Sequence, residues 1–550
     1  MNKTKDHLSM KNSNILLIIL CCLFYAFEKP KQEKRPNIVL ILADDLGYSD
    51  LGCFGSEIAT PNIDALAAHG QIFTNFYTAG TCSPSRAMLL TGTDHHIAGF
   101  GNMAERVPNI PEQVGQPGYE GYLNDKVVSI AQLMKDKGYH TYLSGKWHLG
   151  LTPDQTPFAK GFERSFALLD AAANHFMPDT RSTLFREDDH YTEYPTGQYS
   201  TDFYTDKLIS FIKKDRKDKK PFFLYAAYTA PHWPLQAPSR FIEKYRGLYD
   251  IGYDSLRSRR FHSLKEKGIV AMNIKLPELP AVKGNLYNIS NRPLLLWKSL
   301  SKSEQRIEAR KMEIYAGMVD NLDYNIGRLI KYLKEIGEYD NTFFVFLSDN
   351  GADVFEFNET PDKLNPYPYM GTPNSYIAYG PQWAHASSAV NSLYKGYSAE
   401  GGIHCPLIVK MPFQQQGNGI VNAFTTIMDL APTFLNLAGD TYPSFYKGRP
   451  ITPYKGASLL PLLNKKKNYV HNQDYVMGWE LFGRGAIRKG KWKITKIEPP
   501  FGKGVFELFD LEKDPTESND LSKQYPNKYL EMLGHWKDYV KGNGVILLNR

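Results

Sequence analysis

Cysteine is scarce in this 550-residue chain: there are five, and two of them, Cys21 and Cys22, sit near the amino terminus. The remaining three, Cys53, Cys82 and Cys405, are too few for a disulfide framework. Cys53 and Cys405 could pair, but two separately buried thiols is the preferred reading. Long apolar runs are missing too. After residue 27 no stretch approaches the roughly 18 apolar residues of a bilayer span, which predicts a soluble mature chain. Charge of one sign is lacking as well: 65 basic and 58 acidic residues leave only +7. The run Lys213–Lys220 mixes both signs and reads as a solvated loop or helix end, so nothing points to nucleic acid. Internal repeats and low-complexity tracts are absent, which excludes solenoids and fibrous folds. The thiol-phosphatase spacing, Cys and Arg six residues apart, is also absent, because position 88 is Met88.

What is present is an ordinary globular composition, 42% hydrophobic and 22% charged, over a length that suits one large domain with an appendage. Residues 1–27 read as a signal peptide: Lys3, Lys5 and Lys11 precede an apolar run from Ile15 to Phe27. The expectation is export to the periplasm or the exterior. Cys21 and Cys22 raise an outer-membrane lipoprotein alternative, but Leu20 is bulky for a lipid-attachment site. Residues 34–465 are assigned to one large domain. Residues 466–550 are assigned to a small domain of short strands (Trp479–Arg488, Lys491–Ile497, Val505–Asp510) closed by a helix over Tyr529–Lys541.

The stretch Thr81-Cys82-Ser83-Pro84-Ser85-Arg86, followed by Ala-Met-Leu-Leu-Thr-Gly, reads as a turn entering a helix, with Pro84 in its first turn. Four residues apart, Cys82 and Arg86 would share a face, so Arg86 can meet whatever is built on Cys82.

Two apolar stretches, Pro36–Ala43 and Asn341–Ser348, read as strands buried on both faces. Each ends in paired oxygen donors, Asp44-Asp45 and Asp349-Asn350. Alone, the first pair reads equally as a helix cap or a metal site. The recurrence favours metal, because loops at the carboxyl ends of parallel strands converge. A short strand over Thr141–Ser144 leads to Gly145-Lys146-Trp147-His148. At a period of two, Lys146 and His148 would face one side. Another buried strand, Pro221–Tyr228, delivers His232 in a Pro-flanked loop. Helices are expected over Val127–Lys137, Glu313–Lys334 and Thr426–Gly439, a further strand over Cys405–Lys410, and an insertion or lid over 250–300. His95-His96 should point different ways, so a zinc site there is disfavoured.

With these residues in view, the chain resembles the formylglycine-dependent sulfatases of the alkaline phosphatase superfamily, and among them the bacterial periplasmic arylsulfatases. The likeness rests on Cys-x-Pro-Ser-Arg at 82–86, Thr-Asp-His-His-Ile-Ala-Gly-Phe-Gly at 93–101, and Gly-Lys-Trp-His-Leu-Gly at 145–150. It extends through Ala-Asn-His at 173–175, Ala-Pro-His-Trp-Pro at 230–234, Ser-Asp-Asn-Gly at 348–351 and Gly-Trp-Glu-Leu-Phe-Gly at 478–483. The resemblance implies an α/β fold: a large mixed β-sheet flanked by helices, plus a small C-terminal antiparallel sheet with a terminal helix. It further implies that Cys82 is converted to formylglycine (3-oxoalanine) by a maturation enzyme. Asp44, Asp45, Asp349 and Asn350, with position 82, would hold Ca²⁺. Arg86, Lys146, His148, His232 and Lys395 would complete the catalytic set. The implied activity is hydrolysis of aryl, alkyl or carbohydrate sulfate esters. The alternatives are a phosphodiesterase or phosphonate monoester hydrolase of the same superfamily, and a non-catalytic sulfate-ligand-binding protein. Ala389–Ser392, where such enzymes often carry Pro or Arg, bears on substrate preference and leaves the chemistry untouched.

Overall fold

Strand β1 (Asn37–Ala43) is buried along its whole length, as are β7 (Phe222–Ala227) and β8 (Thr342–Ser348). Side chains alternate across a strand, so burial on both faces demands apolar residues at every position. Val39, Ile41, Leu224 and Phe346 enter one core, while Ile38, Leu40, Phe223 and Leu347 enter the other. The first core is closed by the helices Pro61–His69, Ser200–Asp215 and Lys302–Glu335; the second by Cys82–Thr91, Ile130–Asp136 and Leu430–Leu437. Each fully buried Leu, Ile or Phe contributes about 1.5–3 kcal/mol, so two cores sharing one sheet make β1 the centre of stability. The computed structural model describes residues 35–176, 184–277, 295–355 and 366–548, and the expected signal peptide lies outside them. Among the described residues, no helix is long and apolar enough to cross a membrane.

The remaining strands of the large sheet are β2 (Gln71–Tyr77), β3 (His140–Lys146), β4 (Arg164–Leu168), β5 (Phe185–Glu187), β6 (His190–Thr192), β9 (His404–Lys410), β10 (Gly419–Val421) and β11 (Thr425–Thr426). Their order is β10-β2-β9-β8-β1-β7-β3-β4-β5-β6, with β11 beside β2. The pairs β8–β1, β1–β7, β7–β3 and β3–β4 are parallel, and β9 runs antiparallel between β8 and β2. This is the mixed sheet expected. Beyond a two-stranded ribbon, β12 (Phe445–Tyr446) and β13 (Arg449–Pro450), four antiparallel strands form the small sheet: β14 (Val476–Leu481), β15 (Arg484–Lys489), β16 (Trp492–Lys496) and β17 (Phe506–Asp510). The Pro526–Asn543 helix packs on it through a core of Ile487, Ile494, Leu508 and Met532.

Several boundaries differ from the sequence reading, each for a local reason. The single strand expected over Trp479–Arg488 is a hairpin, turned at Phe482 and Gly483, which both have positive φ. The long helix begins at Lys302, eleven residues before Glu313, because Ser301 and Glu304 form a capping box. The helix expected from Val127 starts at Ile130, behind Ser129 as its cap. In the 250–300 region, Tyr253–Glu266 is a helix and Trp297–Ser299 a single turn; residues 278–294 lie outside the described set. Cys53 and Cys405 are free thiols, as expected, but only Cys405 is fully buried; Cys53 is half-buried.

Candidate active site

Four neighbouring parallel strands, β8, β1, β7 and β3, end together, and their next residues build one cluster. Ala43 pairs with Ser348, which places Asp44 and Asp45 beside Asp349 and Asn350. Gly145 pairs with Ala227, so β3 delivers Lys146 on the far side while β7 leads to His232. Glycine is required at 145: its φ is +121°, and a Cβ there would sit 1.8 Å from the Ala227 carbonyl oxygen.

Cys82 is the first residue of its helix and 1% exposed. Its thiol lies 3.7 Å from Asp45 Oδ1. Ligand atoms of Asp44, Asp45, Cys82 and His232 all fall within 4.8 Å of one another. Burial, reinforced by the Asp44 charge, pushes the Cys82 thiol well above its ordinary pKa, so the encoded side chain is a protonated thiol despite its place at a helix start.

Around this cluster stand three cations. Lys146 Nζ donates to Asp44 Oδ2 at 2.7 Å, and Lys395 Nζ to Asp45 Oδ2 at 2.7 Å. Arg86 donates through Nε to Asp349 Oδ2 at 3.0 Å and through Nη1 to the Lys146 carbonyl at 2.9 Å. Burial opposes ionisation of Asp44, but Lys146 and Arg86 outweigh it and hold Asp44 well below its usual range. Burial and the nearby Asp44 charge instead raise Asp349 to about 7. Three buried carboxylates therefore converge here, with Lys146, Lys395 and Arg86 each paired to one of them.

Two buried oxygens of this set, Asp44 Oδ1 and Asn350 Oδ1, have no hydrogen-bond partner, although Arg86 Nη2 stands 3.4 Å from the first. Asn350 turns its amide nitrogen to Asp45 Oδ1 at 2.6 Å, which leaves its oxygen free to ligate. Orphaned buried oxygens among carboxylates suit a hard, oxygen-seeking cation, and Ca²⁺ fits this donor set better than zinc. A dication would also draw Asp349 back to its ionised form.

The two histidines take different posts. His232 Nδ1 lies 2.6 Å from the Trp233 carbonyl and Nε2 lies 3.4 Å from Asp45 Oδ2. Burial pulls its pKa down to about 3 against the opposing Asp45 charge. His148 is not on the strand. β3 stops at Lys146, and His148 has φ +54°, so its direction comes from a left-handed turn rather than strand alternation. Its Nε2 lies 3.5 Å from Glu105 Oε2, and burial lowers its pKa. Every sequence-predicted site residue thus lies in or beside one buried cluster.

Sequence reasoning missed three neighbours. Glu105 faces His148 from a loop with no pattern to mark it. Asp353, pushed up to about 7 by burial, sits 3.9 Å from Lys395 Nζ. His175 backs the site through Nε2, 3.0 Å from the His232 carbonyl; its Ala-Asn-His context marked the position without giving its role. His95 and His96 lie off the site with rings 4.2 Å apart, and His96 is held between Asp94 and Glu480. A cleft of about 910 Å³ also lies elsewhere, lined by Tyr77, His404, Phe424 and Arg488.

Comparison with known proteins bears on what this cluster does. The model of the Sulfatase family matches residues 36–440, and that of the N-sulphoglucosamine sulphohydrolase C-terminal region matches 393–537. An uncharacterized sulfatase of Schizosaccharomyces pombe is 42% identical over 544 residues, 95% of this chain and 96% of its own. An arylsulfatase of Klebsiella aerogenes is 36% identical over 444 residues, 78% of this chain and 92% of its own. Among solved structures, Ps i-CgsB in complex with k-i-k-neocarrahexaose superposes with a TM-score of 0.66 at 26% identity, covering 94% of this chain and 95% of that one.

Proposed function

Since the chain belongs to the sulfatase family and is a sulfuric ester hydrolase, we propose that it cleaves sulfate monoesters with formylglycine made from Cys82, assisted by Ca²⁺. The observation that carries this reading is the convergence of the Cys82 thiol with Asp44, Asp45 and His232 inside a ring of Arg86, Lys146 and Lys395. A buried, protonated thiol is a poor nucleophile, so the position calls for conversion rather than direct attack. As its hydrate, formylglycine supplies one hydroxyl to attack sulfur and a second whose deprotonation releases sulfate and restores the aldehyde. Asp44, Asp45, Asp349 and Asn350 would hold Ca²⁺, which would supply Lewis-acid charge to the site.

The chain's own residues do the rest. Lys146, Lys395 and Arg86 orient the sulfate oxygens and meet the charge that grows on them, with little reorganisation because each is already fixed by a carboxylate. His232 hands a proton to the departing alcohol oxygen as the S–O bond breaks. In the free site its ring is neutral; a negatively charged ester beside it raises its pKa, so it takes up its proton together with the substrate. His148, with Glu105 on its Nε2, accepts the proton of the second hydroxyl. The substrate class proposed is aryl or carbohydrate sulfate. The arylsulfatase relative and a canine N-acetylgalactosamine-6-sulfatase at 28% identity support it. Export to the periplasm or exterior belongs to the same proposal, supported by the lysines before the apolar run Ile15–Phe27.

The test is the intact mass of the Cys82 peptide from protein purified out of its native host. A loss of about 18 Da, the replacement of CH₂–SH by an aldehyde, is expected. An unmodified thiol in protein that turns over sulfate esters would overturn the formylglycine scheme.

A further inference from the structure

Lys395 is held by no strand and no helix. It lies in the loop between Asn391 and the short Glu400–Ile403 helix, where Leu393 and Gly396 both have positive φ. A long, flexible ammonium side chain on such a loop is a poor catalytic group unless something fixes its backbone. Part of that fixing is local. The Lys395 amide donates to the Ala352 carbonyl at 3.1 Å, and the Gly396 amide to Gly80, two residues before Cys82, at 2.7 Å.

The rest comes from the small sheet and the segment after it. Lys493 on β16 reaches Glu400 Oε1 at 2.6 Å and Glu517 Oε1 at 2.8 Å, and all three side chains are at most 3% exposed. Glu517 then grips the loop on both sides of Lys395: its Oε2 accepts from Ser392 Oγ before it and from the Glu400 amide, at 2.8 Å, after it. The Tyr77 hydroxyl closes the network on Glu400 Oε2 at 2.6 Å. On β15, Arg484 donates through Nη1 to the Gly396 carbonyl at 2.6 Å, and its guanidinium lies 4.6 Å from the Tyr397 ring centre. Ser398 Oγ adds a bond to the Gly485 carbonyl at 3.2 Å.

Plain domain packing would use apolar contacts, because burying two carboxylates on one ammonium is costly and contributes little net stability. What such a triad supplies is direction, since each charge fixes the rotamer of the next. We propose that Lys493, Glu517 and Arg484 are positioning residues for Lys395, so that the small sheet sets the geometry of a catalytic cation in the large domain. This inference rests on the sulfatase reading of Lys395.

The experiment compares Lys493→Met with the parent, each in the wild-type and Lys395→Ala backgrounds of the full chain. The readouts are kcat and KM on an aryl sulfate, and amide hydrogen exchange over residues 390–403. In the wild-type background, kcat is expected to fall by about 10²-fold, the scale of a 1 Å misplacement, with KM changed far less. In the Lys395→Ala background the same substitution changes kcat by no more than about twofold, because the group it positions is gone. The amides of Lys395, Gly396 and Gly401 exchange faster while those of β1 and β8 keep their protection. Lys493→Arg, which keeps a cation in the triad, restores most of kcat. Should Lys493→Met fail to fold, Glu517→Gln carries the same readouts with a smaller, several-fold loss. Equal losses of kcat in both backgrounds, with unchanged exchange at 395–401, would overturn the proposal. An inert wild type would instead sink the sulfatase reading, and the exchange data would still decide the clamp.

Discussion

At His232 one imidazole is asked to be neutral when the site is free and acidic when an ester is bound. Burial supplies the first condition and the ester's own charge the second. General-acid help matters in proportion to how poor the leaving group is. His232→Ala is therefore expected to lower kcat by about 10²–10⁴-fold on an alkyl or sugar sulfate, and much less on 4-nitrophenyl sulfate, whose phenolate leaves unaided. Parallel steady-state kinetics on the two esters check this, and equal losses on both would remove His232 from that role. Individual site residues were legible where they sit in runs of unusual chemistry, such as Asp44-Asp45 or Cys-x-Pro-Ser-Arg. The direction of each side chain was less so. Arg86 stands in the same site as Cys82, and its bonds to Asp349 and to the Lys146 carbonyl are partners that the spacing of the two residues does not specify. Glu105 gave no signal at all, since a lone acid in a loop looks like solvated surface.

Elements show the same division. Strands β1, β7 and β8 are unbroken apolar runs, because two cores read them from opposite faces, and such runs announce themselves. Strand β2 does not: Gln71, Thr74 and Asn75 interrupt it, and its pairing with β9 shifts register between Phe73 and Phe76. Nor did strand periodicity account for His148, which lies past the end of β3 in a left-handed turn. The short helix His95–Ala98 carries a device that pair spacing alone could not reveal. Burial would lower the His96 pKa, but hydrogen bonds to Asp94 and Glu480 outweigh it and raise it to about 9. A rise from 6.5 to about 9 corresponds to about 3 kcal/mol of folded-state stability. Because the folded pKa is the higher one, that stability is fully present below pH 6.5 and is lost as pH climbs through 9. Denaturant midpoints of wild type and His96→Gln should therefore differ most near pH 6 and converge above about pH 9.5. A gap that stayed constant with pH would contradict a charged His96.

On the scale of the whole molecule, the sheet order does what no local pattern could. It aligns the ends of β8, β1, β7 and β3, drawn from residues 37 to 348, so that paired oxygen donors, Lys146 and His232 meet over the start of the Cys82 helix. The small antiparallel sheet was readable from the change to short strands after residue 474. Its attachment to the large sheet was not, because that depends on Trp479 reaching the Thr78 carbonyl and on Lys493 reaching Glu400, contacts spanning 401 and 93 residues. The measurement that tests the central claim most directly is release of the phenol from matched sulfate and phosphate monoesters by the purified full chain and by Cys82→Ala. The account predicts turnover that favours the sulfate ester and falls by at least about 10³-fold in Cys82→Ala. Undiminished turnover in Cys82→Ala, or a preference for the phosphate ester, would contradict it.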